Sequence, residues 1–136
     1  MPASITVRRP LEWMDTDAAG IWHYSTAIRF TEHAELLLHD HLGVAEFTFG
    51  RTPRAHVEFD FQRPVRFGDT VATTLTVARL GRTSITYDVE LADDADGQVF
   101  ATGRVVTVLA DDGVPVEVPE HLRAALTQER TFSPGA

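Results

Sequence analysis

The chain has 136 residues, which fits one domain and is long enough to bury a core. Its formal net charge of −8, with no basic stripe interleaved with aromatics, argues against nucleic acid as a partner and means that an anionic ligand needs a local cationic site. It contains neither cysteine nor lysine, which removes disulfides, thiolate nucleophiles and metal sites, Schiff-base catalysis and a phosphate-loop lysine.

Residues 4–14, SITVRRPLEWM, read as a strand that is bulged or at a sheet edge at Pro10, because proline cannot donate to a ladder. Residues 15–24, DTDAAGIWHY, read as a loop punctuated by Asp and Gly. Residues 25–42 read as a helix capped by Ser25 or Thr26. There Ala27, Phe30, Ala34, Leu37, Leu38 and His41 recur at spacings of three and four, and Gly43 stops the run. Eighteen residues give a helix of roughly 27 Å with a wide apolar face, which requires a sheet to cover it.

Four strands are predicted to follow. Residues 54–63 alternate, with Ala55, Val57, Phe59 and Phe61 on one face and His56, Glu58, Asp60 and Gln62 on the other. Residues 70–79 end at Gly81. Residues 83–92 lead into the DDADG turn, and residues 98–110 carry Gly103 as a bulge or close approach. Residues 119–128 read as a short helix with proline in its first turn. The expected organisation is one domain over 1–128 and a flexible tail over 129–136. One long helix with an antiparallel sheet is an α+β architecture. No stretch approaches the roughly 20 apolar residues of a membrane span, and none has signal-peptide form. A cytoplasmic protein with no membrane partner is therefore expected.

The densest cluster of unusual residues is WMDTDAAGIWHYST at 13–26, just before the long helix. A helix N-terminus presents unpaired N–H groups and partial positive charge, which polarise a carbonyl and stabilise an oxyanion. A carboxylate facing that point attacks the carbonyl or activates water. The same letters also describe an ordinary turn with caps, and the two readings stay open on the pattern alone.

The segment 15–43, DTDAAGIWHYSTAIRFTEHAELLLHDHLG, resembles the start of the 4-hydroxybenzoyl-CoA thioesterase-like family of hotdog-fold acyl-CoA thioesterases. The later run HVEFDFQRPVRFGDTV resembles that family's strand and Gly-Asp turn, here Arg63 to Val71. The resemblance implies a hotdog fold: an antiparallel sheet wrapped around one long central helix, paired into homodimers that assemble to homotetramers. It implies hydrolysis of an acyl-CoA or acyl-carrier-protein thioester, with Asp17 as nucleophile or general base and no metal or other cofactor. Gly20, Ile21, His23 and Tyr24 would form the oxyanion and substrate-binding segment. Asp15 would hold the loop. Arg82, Thr83 and Ser84 would meet the CoA phosphates. Thr26-Ala27 stand where relatives usually carry Asn-Tyr, and the small Ala27 would leave room for a bulkier acyl group.

Two rival activities share this fold. A hotdog dehydratase or hydratase needs a histidine base beside a carboxylate, and only His23 and His56 are candidates. A non-catalytic subunit would bind acyl-pantetheine without cleaving it. Glu32, Glu35 and His39 share a helix stripe that reads as a solvated face, with Glu32 or Glu35 as possible catalytic assistants by family resemblance. Arg51, Arg54, Arg66 and Arg104 are further phosphate candidates.

Overall fold

A computed structural model describes residues 2–135. Strand β1 covers Ser4–Pro10, helix α1 Tyr24–His41, the single-turn α2 Ala45–Thr48, β2 Arg54–Phe61, β3 Thr70–Leu80, β4 Ser84–Asp93 and β5 Val99–Val108. A small hairpin, β6 Ala110–Asp111 with β7 Val114–Pro115, precedes helix α3 Glu120–Thr127 and the short strand β8 Thr131–Phe132. The main sheet has the order β2-β5-β4-β3-β1-β8. Every pair in it is antiparallel except β1 with β8. This is the hotdog fold expected from the sequence.

The short connections explain the antiparallel neighbours β3, β4 and β5. Alternate residues of β3 (Val71, Thr73, Leu75, Val77) and of β4 (Ile85, Tyr87, Val89, Leu91) are buried on the concave side. Helix α1 lies across it and buries Ala27, Phe30, Ala34 and Leu38 in the same core. Each fully buried leucine of this kind contributes about 2 kcal/mol of apolar burial. Ala27 is completely buried there, so its small size fits the helix to the sheet and does not enlarge an acyl pocket.

Several boundaries differ from expectation for identifiable reasons. The helix begins at Tyr24, because the His23 side chain accepts from the Ser25 N–H and acts as the cap. The first strand ends at Pro10 with only β3 beside it at that point, so the missing N–H is harmless. Thr131–Phe132, in the stretch expected to be a flexible tail, pair with Ser4 and Ile5, which would otherwise form an open edge. The expected tail and domain limits also include residues 1 and 136, which lie outside the described residues.

Strand β2 is exposed on both faces, including Val57 at 37% and Phe61 at 48%. It ends the sheet, so its apolar row is only partly covered: Phe59 is half-buried against the core and Phe61 meets Trp22. It packs tightly on Gly103 of β5. A Cβ there would sit 2.5 Å from the Phe59 ring and 2.6 Å from the Glu58 carbonyl oxygen. Gly103→Val is therefore expected to destabilise the chain by about 2 kcal/mol. Urea unfolding checks this, and an unchanged midpoint would show that β2 accommodates the side chain.

No helix among the described residues is long and apolar enough to cross a membrane.

Candidate active site

The loop from β1 to α1 is anchored by Asp15. Its carboxylate is fully buried, accepts from the Glu12 N–H at 2.9 Å and pairs with Arg29 at 3.1 Å. Its carbonyl accepts from the His23 N–H at 2.8 Å and the Thr26 hydroxyl at 2.9 Å. Both sides of the loop mouth are thus tied to one residue, which gives Asp15 a holding role.

Beyond it the chain makes a tight turn. The Asp17 N–H donates to the Ile21 carbonyl at 2.8 Å and the Gly20 N–H to the Asp17 carbonyl at 3.0 Å. Gly20 has φ +80°, a conformation that glycine adopts without strain. The Asp17 carboxylate projects outward. Its Oδ1 accepts from the Ala19 N–H at 2.8 Å, and its Oδ2 has no partner among the described residues. One carboxylate oxygen is pinned and the other is available.

The amides of this segment divide into two groups. Those of Gly20, Trp22 and His23 donate within the fold, to Asp17, Val65 and Asp15 respectively. Those of Ile21 and Tyr24 have no acceptor among the described residues. Tyr24 is the first residue of α1, where an N–H has no intrahelical partner and faces the positive end of the helix dipole. The His23 and Tyr24 rings stack at 4.4 Å.

The two segments that carried the family resemblance meet in space. Trp22 donates to the Val65 carbonyl at 2.8 Å and Ile21 bridges to Arg66. The turn itself is closed by Asp69, which accepts from the Arg66 N–H at 3.0 Å. Trp22 also packs on Phe61 at 5.9 Å, so the loop lies near the C-terminal end of β2.

The other candidates lie elsewhere. Arg82 is exposed between β3 and β4 with no ion pair among the described residues, while its carbonyl and that of Thr83 accept from Val118 and Leu109. Arg104 pairs with Asp88 at 2.8 Å on the sheet's outer face. His56 is exposed and meets Glu58 at 3.2 Å, and the His23 ring is engaged with Ser25.

The stripe expected to be solvated is buried in part. Glu35 and His39 are enclosed, and they line a cavity of about 960 Å³ between α1, the 48–54 segment and the 110–113 turn. Arg54 pairs with Glu35 at 2.5 Å and with Glu32 at 3.4 Å. His39 bridges the Thr48 hydroxyl at 2.7 Å and the Tyr87 hydroxyl at 2.6 Å. Burial pushes the Glu35 carboxyl up to about 7, with Arg54 pulling against it and Glu32 adding to it. Burial, aided by the Arg54 charge, holds His39 down to about 4, so it is neutral at physiological pH. The one signal for this cluster in the sequence was the Glu32, Glu35 and His39 spacing. Its partners Arg54 and Tyr87 are distant in the chain.

Comparison with known proteins bears on the fold and the family. The family described as the thioesterase-like superfamily matches residues 11–126. A 1,4-dihydroxy-2-naphthoyl-CoA hydrolase of Nostoc punctiforme is 27% identical over 98% of this chain and 93% of its own. A Thermus thermophilus thioesterase, solved with coenzyme A and Zn, superposes with a TM-score of 0.80 at 25% identity, covering 89% of this chain and 90% of that one. A 1,4-dihydroxy-2-naphthoyl-CoA thioesterase of Synechocystis shares the fold, with a TM-score of 0.81 at 19% identity over 90% of this chain and 95% of that one.

Proposed function

Because the chain belongs to the thioesterase-like superfamily over residues 11–126, we propose that it is an acyl-CoA thioesterase whose reacting carboxylate is Asp17. What carries this is the pairing of an unpartnered Asp17 Oδ2 with the free amide that opens α1 at Tyr24. Asp17 attacks the thioester carbonyl carbon, or takes a proton from a water that does. The Tyr24 amide, with the helix dipole behind it, holds the negative charge that gathers on the carbonyl oxygen. If Asp17 activates water, the C–S bond breaks as the adduct collapses, the thiolate takes the proton that Asp17 received, and the acid is released. If Asp17 attacks directly, the thiolate leaves an acyl–Asp17 anhydride, and a water then cleaves it to the acid and gives a proton to the thiolate. Gly20 and His23 spend their amides on the loop, so their part is to shape it, and the Ile21 amide remains a second donor.

The likeness to the Nostoc hydrolase makes an aryl-CoA the first substrate class to test. A carrier-protein thioester is the alternative donor of the same acyl group. Arg82, with Thr83 and Ser84, is a cationic turn suited to the CoA phosphates, which an acidic protein must attract locally. The test is thiol release from a panel of aryl- and alkyl-CoAs and their carrier-linked counterparts. Turnover of an aryl-CoA is the expected result, and no release from any thioester would favour the binding-only role.

Homodimers, assembling further to homotetramers, fit the open β2 edge. Two copies joined along β2 in antiparallel fashion complete each other's sheet and cover the row of Val57, Phe59 and Phe61. That pairing sets the Phe61 end of one β2, where Trp22 and the Asp17 loop lie, beside the Arg54 end of the other. Light scattering is expected to give at least twice the 15.0 kDa chain mass, and a monomer would contradict the pairing.

A further inference from the structure

Resting on the thioesterase reading above, we infer that Trp13, Phe67 and Arg66 form a platform beside the reacting loop for the nucleotide end of a CoA thioester, with the purine stacked on Trp13 and a phosphate on Arg66. Trp13 is 79% exposed, Met14 74% and Phe67 61%. The Trp13 and Phe67 rings meet edge to face at 6.3 Å, and at that exposure at least one face of the indole is open to a ligand. A cluster of large apolar side chains left in water marks a surface that something else covers.

Backbone hydrogen bonds hold the platform in place. The Leu11 N–H donates to the Asp69 carbonyl at 2.8 Å and the Gly68 N–H to the Leu11 carbonyl at 3.3 Å, so the chain before Trp13 and the turn that carries Phe67 are tied together. Thr16 bridges to Trp22 and Ile21 to Arg66, which sets the base of the Asp17 turn against the same two segments. Trp13 is four residues from Asp17, at most roughly 14 Å along the chain. The pantetheine arm of CoA is longer than this when extended. A thioester at Asp17 therefore brings its nucleotide to Trp13 with the arm relaxed.

The chemistry of the surface suits a phosphorylated purine. Three side chains fall far short of the about 20 residues a side that a stable protein interface takes. A single flat base covers an indole face, and stacking of this kind holds bases on exposed aromatic rings. Arg66 is exposed with no side-chain partner among the described residues. Its guanidinium supplies the local cation that a phosphate needs on a chain of net charge −8. The neighbouring Asp69 carboxylate is engaged by the Arg66 N–H at 3.0 Å. The Arg82 turn lies at the other end of β3, an 11-residue strand roughly 35 Å long, so within one chain the two cations serve different ligand positions. A carrier-protein thioester brings the same arm without the purine, so this platform favours CoA over that donor.

The test takes the ratio of kcat/KM for benzoyl-CoA to that for benzoyl-pantetheine, which has no nucleotide. It uses the full chain and its Trp13→Ala, Trp13→Phe, Arg66→Ala and Arg82→Ala variants, all at exposed or half-buried positions that spare the core. Trp13→Ala is expected to lower the ratio by about tenfold or more and Arg66→Ala by about threefold. Trp13→Phe keeps a ring and is expected to restore most of what alanine loses. Fluorescence reads the contact directly, because Trp22 is 4% exposed and a ligand from solution reaches only Trp13. CoA and adenosine 3′,5′-bisphosphate are expected to quench the Trp13 emission, and pantetheine to leave it. An unchanged ratio in Trp13→Ala, or a loss confined to Arg82→Ala, would overturn the platform. So would emission that follows protein concentration and not CoA, as a second copy seated on the ring would produce. Quenching by CoA with no thioester cleaved would sink hydrolysis and keep the platform. Cleavage of benzoyl-CoA with no quenching would sink the platform alone.

Discussion

Glu35→Gln is expected to reshape the dependence of stability on pH. In the folded chain burial keeps the Glu35 carboxyl protonated up to about pH 7, whereas the unfolded carboxyl releases its proton near 4.5. Between those values the folded state binds more protons, so this contribution is complete below 4.5 and is lost as the pH rises to 7. The span corresponds to about 3 kcal/mol. His39 acts in the opposite sense. Its unfolded ring takes a proton below 6.5, and its buried ring only near 4. Its contribution is present above 6.5 and is lost as the pH falls to 4. In wild type the two slopes oppose each other across the acidic range. With Glu35 replaced, the His39 slope is no longer opposed, and His33, which burial also shifts down, acts in the same sense. Stability is then expected to rise by about 3 kcal/mol or more between pH 4 and 6.5. Urea unfolding of both proteins at intervals of half a pH unit measures this. Superimposable profiles would mean that Glu35 titrates as an exposed carboxylate does.

The same pair shows what the sequence could and could not reveal. The helix from Tyr24 to His41 was legible because its apolar residues recur every three and four positions, a signal local to the helix. The strands β3, β4 and β5 were legible from alternation and short turns. Glu35 and His39 were misread as a solvated stripe, because their burial depends on Arg54 and Tyr87, which tertiary packing brings from 19 and 48 residues away. Periodicity has no access to such partners. His23 was missed as the helix cap for a different reason. Serine and threonine stand next to it, and those side chains are the usual caps. The β2 alternation was real, but its apolar row lies on the sheet's end strand and stays largely exposed.

The reactive loop sits between these cases. The letters DTDAAG fit an ordinary turn as well as a site, and part of the turn reading is correct, since Asp17 Oδ1 does close a turn on the Ala19 N–H. The free Oδ2, the buried Asp15 anchor and the unpaired Tyr24 amide are features of the folded chain. They are the observations on which the proposed role of Asp17 rests, and spacing alone does not supply them.

Asp17→Asn is expected to remove catalysis while leaving the loop standing. The asparagine Oδ1 accepts from Ala19 as the carboxylate does, and the Asp15 anchor is untouched. What is lost is the anionic Oδ2, which an amide nitrogen cannot replace as nucleophile or base. Loss of a positioned base costs about 10²–10⁴-fold in rate, and loss of a nucleophile at least as much. The melting temperature is expected to shift little, because the side chain is exposed. The decisive measurement is thiol release from a cleaved aryl-CoA by wild type and Asp17→Asn under the same conditions. A fall in kcat of at least about 10²-fold in a folded variant is the predicted result. Hydrolysis by the variant at near the wild-type rate would contradict the assignment of Asp17.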